Sequence, residues 1–229
     1  MRKTALLICT LMLSSAFISC SSLRFFGYES GHKYVDLGLS VKWATANIGA
    51  VEPQDTGYYF AWGEIEPKEL YSWWTYRFHI DGITEDDLVF SKYVRDSTYG
   101  VVDDKYTLDP EDDAAHVNWG GRWRIPTSDE LDELMDERYC TWTWTTIKGV
   151  QGYKIQSKKK GYKRRYIFLP AVEHRAFPES PEDSISCSYW SSTPMENCWA
   201  CVAHLLSFDY SWGGCMRFLG LPIRPVCPK

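Results

Sequence analysis

Apolar residues alternate with polar or small ones through Val41-Lys-Trp-Ala-Thr-Ala-Asn-Ile, and this two-residue period predicts a β-strand with Val41, Trp43 and Thr45 on one face. A second apolar run, Tyr58-Tyr-Phe-Ala-Trp, is bounded by Gly57 and Gly63 and reads as another strand. Residues 64–107 lose the period and predict a long, irregular excursion rich in Tyr, Trp and Asp. The pattern then becomes helical. Asp109-Pro110-Glu111-Asp112 offers an N-cap, a proline at the first helical position and acids at the positive helix end, with Gly120-Gly121 as the stop. Thr127-Ser-Asp-Glu130 is a capping box, after which Leu131, Leu134 and Met135 share one face and Asp132, Glu133 and Asp136 the other. Beyond it, 152–156 and 162–169 flank Ser157-Lys-Lys-Lys-Gly161 as a hairpin. Strand signals at 189–193, 199–208 and 216–226, with Gly213-Gly214 turning the chain, complete a sheet. Helices first and strands later predict an α+β domain with two short helices and a twisted antiparallel sheet.

The N-terminus follows a different logic. Arg2 and Lys3 precede an apolar run from Ala5 to Leu13 and small residues at Ser14 to Ala16, the build of a secretory signal peptide. The run is shorter than the ~20 residues a bilayer span needs. Ser19-Cys20 resembles a bacterial lipobox, with Phe17 where that pattern prefers leucine. This divides the chain into a signal over 1–19, a lipidated tether over 20–32 attached through Cys20, and one domain over 33–229. Ser21, rather than aspartate, follows the cysteine, which by resemblance to Gram-negative lipoproteins implies the outer membrane; the side faced stays open. No second segment is apolar enough to span a membrane.

Losing 1–19 removes Arg2 and Lys3, leaving 23 basic against 30 acidic residues, a charge of about −7 that argues against nucleic acid as a partner. Six cysteines remain after Cys9 and Cys20: Cys140, Cys187, Cys198, Cys201, Cys215 and Cys227. In an exported protein such a set reads as disulfides or buried thiols. Cys198 and Cys201 have no second pair or histidines at zinc-ligand spacing, and on a strand they point to opposite faces. No metal and no cofactor is expected.

Several segments, in order, resemble the Fibrobacter succinogenes major paralogous domain, a family common in Bacteroides-type envelope lipoproteins: Tyr34-Val-Asp-Leu-Gly-Leu, Val41-Lys-Trp-Ala-Thr-Ala-Asn-Ile-Gly, Tyr59-Phe-Ala-Trp-Gly-Glu, Asp109-Pro-Glu-Asp-Asp-Ala-Ala, Trp119-Gly-Gly-Arg-Trp-Arg-Ile-Pro-Thr, Tyr189-Trp-Ser-Ser-Thr and Ile223-Arg-Pro-Val. The resemblance covers nearly the whole mature chain. It departs from the family at Ala46, where a cysteine is expected, at the basic stretch 158–165, and at Cys187, Cys198, Cys201 and Cys215. The same segments look like C-type-lectin-like folds, whose broad plan formylglycine-generating enzymes share, so the resemblance implies a single C-type-lectin-like domain and leaves function open.

Aromatic residues make up 16% of the chain, with 11 tryptophans. Trp43, Trp62, Trp123 and Trp190 sit in patterns that predict core. Trp73, Trp74, Trp142, Trp144, Trp199, Tyr210 and Trp212 lie in loop-like stretches, where an indole can take the C–H face of a sugar. The candidate ligand residues are Trp142, Trp144, Trp199, Asp209, Tyr210 and Trp212. Pro194-Met195-Glu196-Asn197 departs from the calcium-dependent sugar triplets of C-type lectins, so calcium-dependent sugar binding is not expected. Lys158, Lys159, Lys160, Lys163, Arg164 and Arg165 form a basic tip suited to anionic glycan or headgroups, or to a solvated turn. His32, His79, His116, His174 and His204 lie in no nucleophile motif, and Glu64 with Glu66 is a weak acid pair. The chain reads as a lipid-anchored binding module for glycan or protein rather than an enzyme, with a fimbria-like assembly component as the alternative.

Overall fold

The computed structural model describes residues 25–80, 88–171, 186–196, 198–207 and 209–229. The signal peptide, Cys20 and His174 lie outside the described residues.

Among the described residues ten strands form three antiparallel sheets rather than the one sheet expected. The first contains β1 (Phe26–Glu29), β2 (His32–Val35), β3 (Val41–Ala44) and β10 (Val226–Pro228), joined in that order. β1 falls within the stretch read as tether and pairs with β2, Phe26 opposite Val35. The second sheet is β4 (Cys140–Ile147), β5 (Val150–Ser157) and β6 (Tyr166–Pro170), and the third is β7 (Ser186–Pro194), β8 (Trp199–Leu206) and β9 (Asp209–Met216). Two α-helices among the described residues, α1 (Ala114–Trp119) and α2 (Ser128–Met135), make the class mixed, as expected.

In the third sheet β7 and most of β8 are buried on both sides, whereas β9 is largely exposed. Trp190, Ala200 and Val202 face a core built from the long excursion, with Phe60, Trp62, Tyr76, Phe90 and Tyr93. Tyr189, Ala203 and Leu205 face a second core with Leu37, Trp43, Leu131, Ile155 and Leu169. The four tryptophans assigned to the interior are all 0–1% exposed. Residues 58–62, read as a strand, contribute a single bridge, Phe60 with Leu221. Their polar groups are satisfied instead by indole contacts with β7 and by the 217–221 segment.

α2 begins as its sequence dictates: Thr127 Oγ1 accepts from Glu130 N at 3.3 Å, and Glu130 accepts from Thr127 N at 2.9 Å. Of its outer face, Glu133 accepts from Ser40 and Asp136 from Arg138, while Asp132 is exposed to solvent. The other helix starts later than expected. Pro110–Asp112 is a 3-10 turn, and α1 is capped by Asp113, whose Oδ1 accepts from Ala115 N and His116 N while Oδ2 accepts from Ile125 N. Asp109 is engaged by lysines.

The strand β4 carries Trp142 and Trp144, so neither lies in a loop. It joins β5 through Lys148 and Gly149, both at positive φ (48° and 87°), the geometry of a two-residue hairpin turn. Gly213 and Gly214 lie inside β9 and do not turn the chain. A Cβ on Gly213 would meet the His204 ring at 2.6 Å, and one on Gly214 would meet Met195 Sδ at 2.6 Å. Close approach requires these glycines.

Candidate ligand-binding site

The aromatic candidates separate into two groups. Trp142 on β4 and Tyr210 on β9 stack, with centroids 4.4 Å apart and planes at 16°. Tyr153 sets its edge against both and against Trp144, at 5.3, 5.6 and 5.0 Å. Its hydroxyl donates to Leu206 O at 2.7 Å, and Trp142 Nε1 donates to Leu134 O at 2.9 Å. These rings therefore clasp the β8–β9 hairpin to the second sheet and α2, and their faces are spent on one another. Asp209 accepts from Tyr210 N at the same hairpin. Trp142, Trp144 and Tyr210, named above as candidate ligand residues, are thus partly buried, with Trp142 and Tyr210 packed face to face.

Trp199 and Trp212 behave differently. The β8–β9 register sets Trp199 opposite Met216, Cys201 opposite Gly214 and Ala203 opposite Trp212. Directly opposed residues share a face, so both indoles lie on one side, separated by four residues of strand or roughly 13 Å. Trp212 is 65% exposed and Trp199 38%. Between them Met195 packs over Gly214, its Sδ 2.6 Å from where a Cβ on that glycine would stand. The N-terminal end of α2 forms a wall, and Ser128, Leu131, Asp132, Cys201, Val202 and Trp212 line a cleft of about 200 Å³. Among the described residues no donor reaches the Asp132 carboxylate; partial burial and then the neighbouring Asp129 hold its pKa up. Burial pushes the Cys201 thiol up as well, so it lines the cleft as a neutral, weakly polar group.

The cysteines are not cross-linked as the disulfide reading expected: Cys140, Cys198, Cys201, Cys215 and Cys227 are thiols. Burial raises the pKa of each, that of Cys140 to about 12 and that of Cys215 to about 11. Cys198 precedes β8 and packs with Cys215 against the first core, whereas Cys201 opens into the cleft.

The basic tip also divides. Lys159 lies 3.9 Å from Glu133 and over the Tyr139 ring, and Arg165 donates to Asp36 O and approaches its carboxylate at 3.8 Å. Lys158 donates to Glu137 O. Lys160, Lys163 and Arg164 are exposed, with no carboxylate partner among the described residues.

One polar cluster carries no local sequence signal. Asp109, Glu111 and Asp112 bring carboxylate oxygens within 4.8 Å of one another, a spacing that suits a metal ion. Here Lys92 supplies the cation, at 2.6 Å from Asp109, 3.3 Å from Glu111 and 2.5 Å from Asp112. Lys105 pairs with Asp109 and Arg77 with Asp112, and the Tyr93 hydroxyl donates to buried Asp112 at 2.6 Å. Lys92 lies 17 residues or more from these acids, which hides the cluster from a local reading. Hydrogen bonds from Lys105 and Lys92 hold the Asp109 carboxyl below its ordinary value. Because the folded state prefers the ionised form, this stabilisation is full above about pH 4 and is lost as pH falls through the depressed value. The melting-temperature advantage of wild type over Asp109→Asn is expected to shrink on acidification below that point; an advantage constant with pH rules the linkage out.

Two further arrangements lack the parts of a catalytic centre. Ser188 Oγ and His204 Nδ1 are 2.8 Å apart, but no described carboxylate orients the ring. Burial pushes the His204 pKa down. Glu64 is buried, paired to Lys68 at 2.8 Å, and accepts from Arg77 N, which makes it a structural ion pair.

Comparison with known proteins gives no match, whether to a family model, to a curated protein or to a solved structure. The functional reading therefore rests on the residues of this chain. No described helix is long and apolar enough to cross a membrane.

Proposed function

We propose that this chain is a lipid-anchored protein of the bacterial outer membrane that binds glycan through the strip between Trp199 and Trp212. The supporting observation is the shared face of the two indoles, on which Trp212 lines an otherwise apolar cleft together with a carboxylate and a hydroxyl, Asp132 and Ser128. Sugar rings present apolar C–H faces to indoles and hydroxyls to carboxylates, so this donor and acceptor set suits a short saccharide. The resemblance to the Fibrobacter succinogenes major paralogous domain, and through it to C-type-lectin-like folds, agrees with a binding role. Acylation at Cys20 leaves five residues before β1, a reach of roughly 20 Å even when fully extended, so the domain rides close to the bilayer.

A glycan array probed with the full chain in detergent tests the reading. Trp212→Ala is expected to weaken the best hit by roughly tenfold while leaving the melting temperature nearly unchanged, since ring stacking contributes about 0.5–1.5 kcal/mol beyond the area it buries. A fimbria-like assembly role predicts no sugar hit and capture of envelope protein that depends on the same tryptophan. The anchor has its own check: radiolabelled palmitate should mark wild type and not Cys20→Ala.

A further inference from the structure

The outer face of the second sheet carries a second site. Thr141 and Thr143 on β4 stand opposite Gln156 and Lys154 on β5, on the side away from the core. The loop after β5 curls over this face, held by Gln156 Nε2 donating to Lys163 O at 2.7 Å. Together with Lys158 and Lys163 these residues border an open groove of about 500 Å³. Tyr166, opposite Gln156 on β6 and 45% exposed, lies beneath Lys154, whose ammonium sits 4.6 Å from the ring centroid.

The charge pattern is unusual for this protein. It carries 30 acidic residues against 25 basic ones, and several cations near this face find carboxylates. Lys148 pairs with Glu52, Lys159 with Glu133 and Arg165 with Asp36. Among the described residues no carboxylate pairs with Lys154, Lys158 or Lys163, so the groove keeps its positive field.

We propose that this groove binds an anionic saccharide, one bearing carboxylate or sulfate groups, separately from the Trp199–Trp212 strip. Lys154 lies within β5 and Lys158 just past its end, four residues or roughly 13 Å along the chain, which suits charges repeated along a saccharide better than a single compact phosphate. Thr141, Thr143 and Gln156 supply neutral hydrogen-bonding groups between them for sugar hydroxyls, and Tyr166 supplies an aromatic edge.

The test uses the full chain in detergent at low and moderate salt. The probes are oligogalacturonate, a heparin-derived sulfated oligosaccharide, a neutral oligosaccharide of equal length, and glycerol phosphate as the free headgroup. Wild type should bind at least one of the two anionic sugars, more weakly as salt rises, and should bind the neutral sugar and glycerol phosphate poorly. The double variant Lys154→Gln/Lys163→Gln should bind about tenfold more weakly, as expected for two solvent-exposed charge contacts. Lys160→Gln/Arg164→Gln removes the same charge outside the groove and should stay within about twofold of wild type. Trp212→Ala should leave this binding intact, which separates a failure here from a failure of the strip. Equal loss in both double variants, preference for glycerol phosphate, or no binding to either anionic sugar overturns the proposal.

Discussion

Replacing Trp62 with alanine is expected to remove about 3–5 kcal/mol of folding stability, a large share of the roughly 5–15 kcal/mol available to a domain. Trp62 is 1% exposed and holds several elements together. Its Nε1 donates to Ser191 O on β7 at 2.8 Å, while Trp190 Nε1 returns a bond to Phe60 O at 2.7 Å. The Trp62 amide donates to Arg217 O, and its carbonyl accepts from the Tyr76 hydroxyl. The ring meets Tyr93 edge-on at 5.0 Å and carries the Arg217 guanidinium at 5.0 Å. Arg217 is itself buried, and among the described residues its guanidinium finds carbonyls rather than a carboxylate, so losing the ring exposes a cation poorly matched to its surroundings. Trp62→Phe keeps most of the volume but orphans Ser191 O, and should cost about 1–3 kcal/mol. Denaturant titration followed by circular dichroism measures both. A Trp62→Ala cost below about 1 kcal/mol, far under the usual range for a buried tryptophan, would refute the clasp.

Arg224→Met should be comparably damaging for a different reason. Arg224 is 1% exposed, and burial pulls its pKa down to about 10, so it remains charged at neutral pH. Its Nε donates to Asn47 Oδ1 at 2.8 Å, and a terminal nitrogen donates to Thr45 O at 3.2 Å and Ala44 O at 3.4 Å. Asn47 passes the network on to the Tyr189 hydroxyl, which donates to Pro170 O at 2.8 Å. One chain of hydrogen bonds thus connects the flanks of β3 and β10 with β7 and the end of β6, joining all three sheets. Methionine fills similar volume but takes the donors from Asn47 Oδ1 and two carbonyls, a loss of about 1–3 kcal/mol for each acceptor left buried and unsatisfied. Arg224→Lys should recover only part, because an ammonium lacks the planar fork. A double-mutant cycle with Tyr189→Phe is expected to show coupling of about 0.5 kcal/mol or more; strict additivity would mean that Asn47 does not transmit the contact.

What the chain declared locally was built. The Thr127–Glu130 box starts α2, the alternation at Val41 and Trp43 makes β3, the hairpin read around Ser157–Gly161 forms from β5 and β6 although residues 162–165 join its loop rather than its strand, and the four strand-pattern tryptophans fill the core. Each signal is carried by residues within a few positions of one another, where backbone geometry alone decides which neighbours meet.

Tertiary structure decided the rest. Trp142 and Trp212 look alike in sequence, yet Tyr210, 68 residues after Trp142, covers one indole while the other stays open beside α2. Asp113 rather than Asp109 caps α1, because Asp109 is drawn to Lys92 and Lys105. Gly213 and Gly214 read as a turn until His204 and Met195 are found lying over them. Exposure, charge pairing and close approach depend on which distant segment arrives at a residue, and the folded contacts, not the residue's own neighbours, determine that.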